Sequence, residues 1–141
     1  MLFFTQRPGV FPGKEVLAMK LAQLLAPLGI TEGFMDVEIS DIVYDSRKAK
    51  AGCAFVCLRG SAVDGHKFAA NAAAAGAAAI IAQEPVEASG AQVILVEDTR
   101  RALALMSAAF FGNPAEGDIS VIGVTGTKGK TTTAWMIREI L

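Results

Sequence analysis

Leu21, Leu24, Leu25 and Leu28 recur at helical spacing in "MKLAQLLAPLG" (19–29), which predicts an amphipathic helix. Pro27 disfavours helical backbone just before it, so the helix should end near Ala26, with Gly29 as the stop. The period then shortens. In "VEISDIVYDS" (37–46), Val37, Ile39 and Val43 alternate loosely and predict a strand that runs into a turn. "KAKAG" reads as a turn, "CAFVCLRG" (53–60) as a short apolar strand, and "SAVDG" (61–65) as a loop. The alanine-rich run from His66 to Gly76 favours helix by propensity, with Gly76 near its C-terminus. "AAAIIA" (77–82) and "QVILVE" (92–97) read as buried strands on either side of the polar loop "QEPVEASGA". Asp98 or Thr99 is placed to cap "TRRALALMSAAFFG", whose Leu103, Met106 and Phe110 share a face and which Gly112 and Pro114 end.

Strands alternating with helices predict an α/β sheet, mostly parallel in its second half. "GNPAEGD" (112–118) places two glycines, a proline and two acids between well-patterned elements, and marks a domain boundary. The opening "MLFFTQRPGVFPGKEVLA" holds two prolines and two glycines and makes a poor helix or strand. Met19 begins the better pattern, so residues 1–18 are set apart as an extension outside the fold.

Composition narrows the function classes. A length of 141 residues suits one domain, or one domain and a piece of another. An apolar fraction of 52% with 19% charged residues argues against disorder. A net charge of −1 provides no electrostatic footprint for nucleic acid or an anionic membrane. The apolar run at 72–82 is shorter than the ~20 residues that span a bilayer. The opening stretch also lacks the basic-then-apolar order of a secretory signal. Cys53 and Cys57 are the only cysteines and His66 the only histidine, too few ligands for a zinc site. Buried free thiols are the expectation, and they fit a reducing cytoplasmic compartment.

The candidate chemistry lies late in the chain. "DISVIGVTG" rises as an apolar strand into Gly126, and "TKGKTT" leads directly into "TAWMIREIL". Strand, glycine turn and helix form the setting in which backbone N–H groups hold phosphates. Gly126 and Gly129 admit a tight turn and close approach of an anion. Lys130 is placed to reach the β- and γ-phosphates, and the Thr131 hydroxyl to ligate Mg²⁺. Gly126, Thr127, Lys128, Gly129, Lys130, Thr131 and Thr132 thus form the candidate ATP phosphate site. The full pattern G-x-x-x-x-G-K-[ST] is not met, since its first glycine would fall on Val124. For Lys128, a solvated loop lysine and a phosphate contact are equally good readings.

The spelling "VTGTKGKTTT" resembles the ATP loop of the Mur ligases, which extend the peptide of the bacterial cell-wall precursor. "IVYDSRKAKAGCAFVCLRGSAVDGHKF" resembles the uridine-binding amino-terminal domain of the same family. Two branches share that passage: the tripeptide synthetases (MurE-like) and the enzymes adding D-Ala-D-Ala. Thr127, where the second branch usually has serine, points to the first. Lys128 stands where many members carry asparagine, and "GCAFV" where "GDLFV" is usual.

The resemblance implies an α/β fold made of two parts. Residues 19–114 would be the UDP-substrate-binding domain, and 115–141 the first strand, P-loop and helix of the central ATP-binding domain. It implies ATP and Mg²⁺ as cofactors and UDP-N-acetylmuramoyl-L-alanyl-D-glutamate as substrate. The third amino acid would be added through an acyl phosphate. Ser46 matches the serine that contacts the uridine diphosphate part, Tyr44 lines the same pocket, and Ser61, Ala62 and Val63 match the loop that closes over the uracil.

Plainer readings stand beside these. Asp45 and Ser46 also suit a simple turn, Asp64-Gly65 a tight bend, and His66 a helix cap. The family's acidic Mg²⁺ ligands, the rest of the ATP sheet and the carboxy-terminal domain would lie beyond these residues. The chain is therefore expected to be an amino-terminal fragment of the parent enzyme, inactive alone, with no catalytic residue of its own. Two other classes remain: a binding module for UDP-sugar precursors without chemistry, and a small P-loop NTPase unrelated to cell walls. The last would need an acidic Mg²⁺ partner, and no apolar strand ending in Asp follows the loop.

Overall fold

The strand in "CAFVCLRG" spans Cys53–Val56, and each of its residues is buried. Burial on both faces is the mark of a central strand in a parallel sheet covered on both sides. The computed structural model describes residues 2–4, 18–61, 63–114 and 121–140. In chain order the strands are β1 (Leu2–Phe4), β2 (Met19–Lys20), β3 (Glu38–Ile39), β4 (Asp41–Val43), β5 (Cys53–Val56), β6 (Ala79–Ala82), β7 (Gln92–Leu95) and β8 (Val121–Gly123). The α-helices are α1 (Leu21–Leu25), α2 (Ala69–Ala74), α3 (Thr99–Phe110) and α4 (Lys130–Ile140). The chain divides into two compact units, one of Val16–Gly112 and one of Met1–Glu15 with Asn113–Leu141.

In the first unit, β4, β5, β6 and β7 pair in that order, all parallel. Side-chain alternation along the strands sorts the core into two clusters. Ala54, Val56, Ala79, Ile81 and Ile94 meet Leu21, Leu24 and Leu25 of α1 and Ala102, Met106 and Phe110 of α3. Cys53, Phe55, Ile80 and Ala82 face the other way, against Ala69 and Ala72 of α2. The expected face of α3 is present, with Met106 and Phe110 buried and Leu103 half-buried at its margin.

The strand expected over 37–46 is divided between two partners. Glu38–Ile39 pairs antiparallel with β2, and Asp41–Val43 pairs parallel with β5. Helix α1 ends at Leu25, and a 3-10 turn over Ala26–Leu28 carries the chain to Gly29 at φ 75°. The helix expected from His66 begins as a 3-10 turn, Gly65–Phe68, capped by Asp64 rather than by His66. It ends at Gly76, φ 94°, where a Cβ would lie 3.0 Å from the Cα of Ala51, so glycine is required by both conformation and space.

In the second unit, β1 pairs antiparallel with β8, Phe3 opposite Ile122. The opening stretch therefore supplies a strand where none was expected. "LFF" is short but strongly β-forming, and β8 has unpaired backbone groups along its edge for it to satisfy. Residues 5–17 lie outside the described residues, as do 115–120 at the head of the expected strand "DISVIGVTG". No described helix is long and apolar enough to cross a membrane.

Candidate functional site

Strand order in the parallel sheet follows chain order, so it contains no reversal to open a crevice at the carboxyl ends. Any site at that edge has to be made by the loops themselves. Two leave from neighbouring strands, since Val43 is paired with Phe55. After β4 the chain passes Tyr44, which is 62% exposed, and enters a 3-10 turn over Ser46–Lys48. Asp45 caps that turn, accepting from the Arg47 amide at 3.1 Å and from Arg47 Nη2 at 2.7 Å. The Arg47 side chain, then its amide, hold the Asp45 carboxyl down at about 2. The simple turn considered for Asp45 and Ser46 is therefore present, with Ser46 half-buried as its first residue.

After β5 the chain forms a hairpin tip. Gly60 N–H donates to the Val63 carbonyl at 2.9 Å, and Arg59 bridges antiparallel to Asp64. Ser61 and Val63 are exposed at this tip, and Ala62 lies outside the described residues. A hollow of about 270 Å³ lies along the β4 edge, lined by Asp41, Ile42, Val43, Tyr44, Asp45 and Lys48. Tyr44 reaches it; Ser46, Ser61 and Val63 do not line it. A second hollow of about 290 Å³, between the 3-10 turn at Ala26–Leu28 and the start of α3, had no forecast in the sequence.

Several contacts behind the hairpin also had no forecast. Arg59 Nε donates to Asp64 at 3.2 Å, and its Nη2 donates to Glu84 at 3.1 Å. Arg100 of α3 donates to the Arg59 carbonyl at 2.8 Å. Asp64 accepts from the His66 amide at 3.0 Å and lies 2.6 Å from His66 Nδ1, contacts that hold its carboxyl down at about 2. The Gln83 amide donates to His66 Nε2 at 3.0 Å, and the Gln83 side chain joins Glu97 and Thr99. The signal in the sequence is "RGSAVDG", a pair of opposite charges five apart around a glycine turn; Gln83 and Glu84 carry none. Asp64, His66 and Glu84 bring donor atoms within 4.8 Å of one another. With Arg59 already paired to both acids and both ring nitrogens engaged, this set suits an ion-pair network rather than a metal.

Cys53 and Cys57 are free and buried as expected, and burial pushes the Cys57 thiol up to about 12. It is therefore no nucleophile at neutral pH.

In the second unit, β8 gives way to the loop that leads into α4. The helix begins at Lys130, so Lys130, Thr131 and Thr132 form its first turn. Thr133 N–H donates to the Gly129 carbonyl at 2.9 Å, which leaves the preceding amides as the unpaired donors every helix start presents. Gly129 has φ 76° and Gly126 φ 150°, values that glycine alone adopts at little cost. Lys130 Nζ donates to the Gly126 carbonyl, so the ammonium lies across the mouth of its own loop. Thr127, Lys128 and Thr131 are exposed.

A parallel sheet with loops leaving its carboxyl edge, and separately a strand, glycine loop and helix, define an α/β protein. The chain belongs to the Mur ligase family: the profile described as "Mur ligase family, catalytic domain" matches residues 38–111. It is 46% identical over 125 residues to the UDP-N-acetylmuramoyl-L-alanyl-D-glutamate–2,6-diaminopimelate ligase of Bacillus licheniformis, covering 86% of this chain and 25% of that protein. The enzyme of that name from Listeria monocytogenes is 42% identical over 87% of this chain and 25% of its own length. The chain thus spans about a quarter of these relatives. Among solved structures, MurF from Acinetobacter baumannii superposes with a TM-score of 0.58 at 30% identity, over 65% of this chain and 21% of that one. MurF ligase from Thermotoga maritima, in complex with ADP, gives 0.52 at 35% identity, over 66% and 21%. The sequence relatives are of the tripeptide-synthetase branch, as Thr127 suggested, while these solved structures are of the D-Ala-D-Ala branch that shares the amino-terminal passage.

Proposed function

We propose that the chain is the amino-terminal part of an ATP-dependent ligase adding the third amino acid to UDP-N-acetylmuramoyl-L-alanyl-D-glutamate. Residues 19–114 act as the uridine-nucleotide domain and 115–141 as the opening of the ATP domain. The observation that carries this reading is the neighbouring exit of two loops, at Tyr44–Ser46 and Ser61–Val63, from β4 and β5 at one sheet edge. Ser46 donates to the diphosphate, Tyr44 offers its exposed ring beside it, and Ser61, Ala62 and Val63 close over the uracil. The high identity to the diaminopimelate-adding ligases supports the branch.

In the second unit, Gly126, Thr127, Lys128 and Gly129 supply backbone donors to the ATP phosphates, together with the first turn of α4. The helix start and the left-handed Gly129 fit an anion. Thr131 and Thr132 stand on that first turn, where Thr131 would hold Mg²⁺, whose role is charge neutralisation at the transferring phosphoryl group. Lys130 leaves the Gly126 carbonyl for the β- and γ-phosphates. The substrate carboxylate becomes an acyl phosphate, and the incoming amine displaces phosphate from it. The remaining ATP sheet and the domain that selects the amino acid belong to the parent enzyme, so the 141 residues bind substrate without completing ligation. A cytoplasmic site of action suits this reading and the two free thiols.

Calorimetry with UDP-N-acetylmuramoyl-L-alanyl-D-glutamate tests the reading. Binding should weaken roughly tenfold in Ser46→Ala, the loss of a hydrogen bond to a charged group. Unchanged affinity in both Ser46→Ala and Tyr44→Ala would remove these residues from the site. Formation of ADP and tripeptide precursor by these 141 residues alone would overturn the claim of inactivity.

A further inference from the structure

The hairpin tip is held from behind by a ring of contacts that does not touch its exposed face. His66 is at the centre. It is buried, with Nδ1 2.6 Å from Asp64 Oδ1 and Nε2 receiving the Gln83 amide at 3.0 Å. An N–H donor at Gln83 requires Nε2 to be an acceptor, so the proton of a neutral ring sits on Nδ1 and is donated to Asp64. Asp64 is also the last residue of the hairpin, paired with Arg59 at its first. His66 thereby joins the loop after β5 to the loop after β6, and Arg59 extends the tie to Glu84 and, through its carbonyl, to Arg100.

We propose that His66, with Asp64 and Arg59, is a positioning set for the uridine-nucleotide site: the imidazole fixes the base of the hairpin and so the placing of Ser61 and Val63. This rests on the reading of that tip as the uracil-closing loop. A second proton on the ring would sit at Nε2, facing the Gln83 amide, and two donors cannot share that contact. The acidic groups near the ring are Asp64 and Glu84, whose oxygens lie within 4.8 Å of a ring nitrogen, and both are paired with Arg59. Loss of the Nε2 acceptor therefore removes the tie between the hairpin and the loop after β6.

Two variants separate the bonds. In His66→Gln the side-chain oxygen reaches the position of Nε2 and accepts from Gln83. In His66→Asn the amide reaches only as far as Nδ1, so the Gln83 contact is lost. The probe is UDP-N-acetylmuramoyl-L-alanyl-D-glutamate. His66→Asn should bind it about three- to tenfold more weakly than wild type, the loss of one buried hydrogen bond. His66→Gln, which keeps the Gln83 contact, should recover most of that loss. Equal affinity in wild type and His66→Asn, or no recovery in His66→Gln, would overturn the proposal. Amide exchange followed by NMR reads the same network without ligand: the Gly60 and Gln83 amides should lose protection in His66→Asn and keep it in His66→Gln. Equal protection in His66→Asn and wild type would overturn the positioning role. The expected exchange in all three proteins with no binding by wild type would instead sink the uridine-nucleotide reading on which the proposal stands.

Discussion

Gly65 is glycine for want of space. A Cβ there would lie 2.8 Å from both the amide nitrogen and the carbonyl oxygen of Leu58, backbone atoms that cannot yield independently. The Gly65 amide donates to that same carbonyl at 2.8 Å, so a shift would also cost a hydrogen bond. Gly65→Ala should therefore destabilise by about 2 kcal/mol, read as a lowered urea midpoint. Its neighbour Asp64 contributes to acid behaviour. The folded protein holds this carboxyl at about 2, below its usual 3.8, so between those values the unfolded chain binds more protons. The stability Asp64 contributes is complete above about pH 4 and lost as pH falls toward about 2. Urea midpoints of wild type and Asp64→Asn should differ most near neutral pH and converge in acid; a gap that stays constant to about pH 2 would assign the effect to shape rather than charge. The "DG" spelling announced a tight bend, but not the contact with Leu58 that makes it compulsory.

Among the elements, α3 was the most legible in the sequence because three independent signals agreed on it. Asp98 caps it through bonds to the Arg100 and Arg101 amides at 2.8 and 3.1 Å, and Ala102, Met106 and Phe110 form its buried face. Asp98→Ala should cost about 1 kcal/mol and Met106→Ala about 3 kcal/mol, both measured by chemical denaturation. A reversed order would mean the cap matters more than the core it introduces. Sheet edges were less legible. Strand β7 ends the parallel sheet, and the Gln92 side chain exchanges two 2.8 Å hydrogen bonds with the backbone of Met35, standing in for a further strand. Those residues are 57 apart, and no local pattern links them. The same limit explains β1, whose value depends on a partner beginning at Val121, and the division of 37–46 between two partners. Periodicity reports which face is apolar; it does not report what lies across from it.

At the scale of the whole molecule, the two units differ in how they are held. The parallel sheet has a filled core on each face, whereas among the described residues of α4 only Ala134 is buried. An eleven-residue helix with so little covered surface has marginal stability of its own. Trp135, the sole tryptophan, is 60% exposed there, beside Met136, also at 60%. Its emission should therefore be that of a hydrated indole in the native protein. Thermal unfolding of the sheet should be cooperative by far-UV circular dichroism while tryptophan emission scarcely shifts. A UDP-linked precursor at about a hundred times its dissociation constant adds about 2.7 kcal/mol to the state that binds it, so the dichroism midpoint should rise by several degrees. That rise should persist in Lys130→Ala and without Mg²⁺, because the loops after β4 and β5 belong to the sheet and Lys130 does not. A rise that vanishes with Lys130 would assign the uridine ligand to the phosphate loop and leave the sheet edge without a role. A blue-shifted tryptophan that moves with the dichroism would show that α4 is covered in the native protein and shares in its cooperative core.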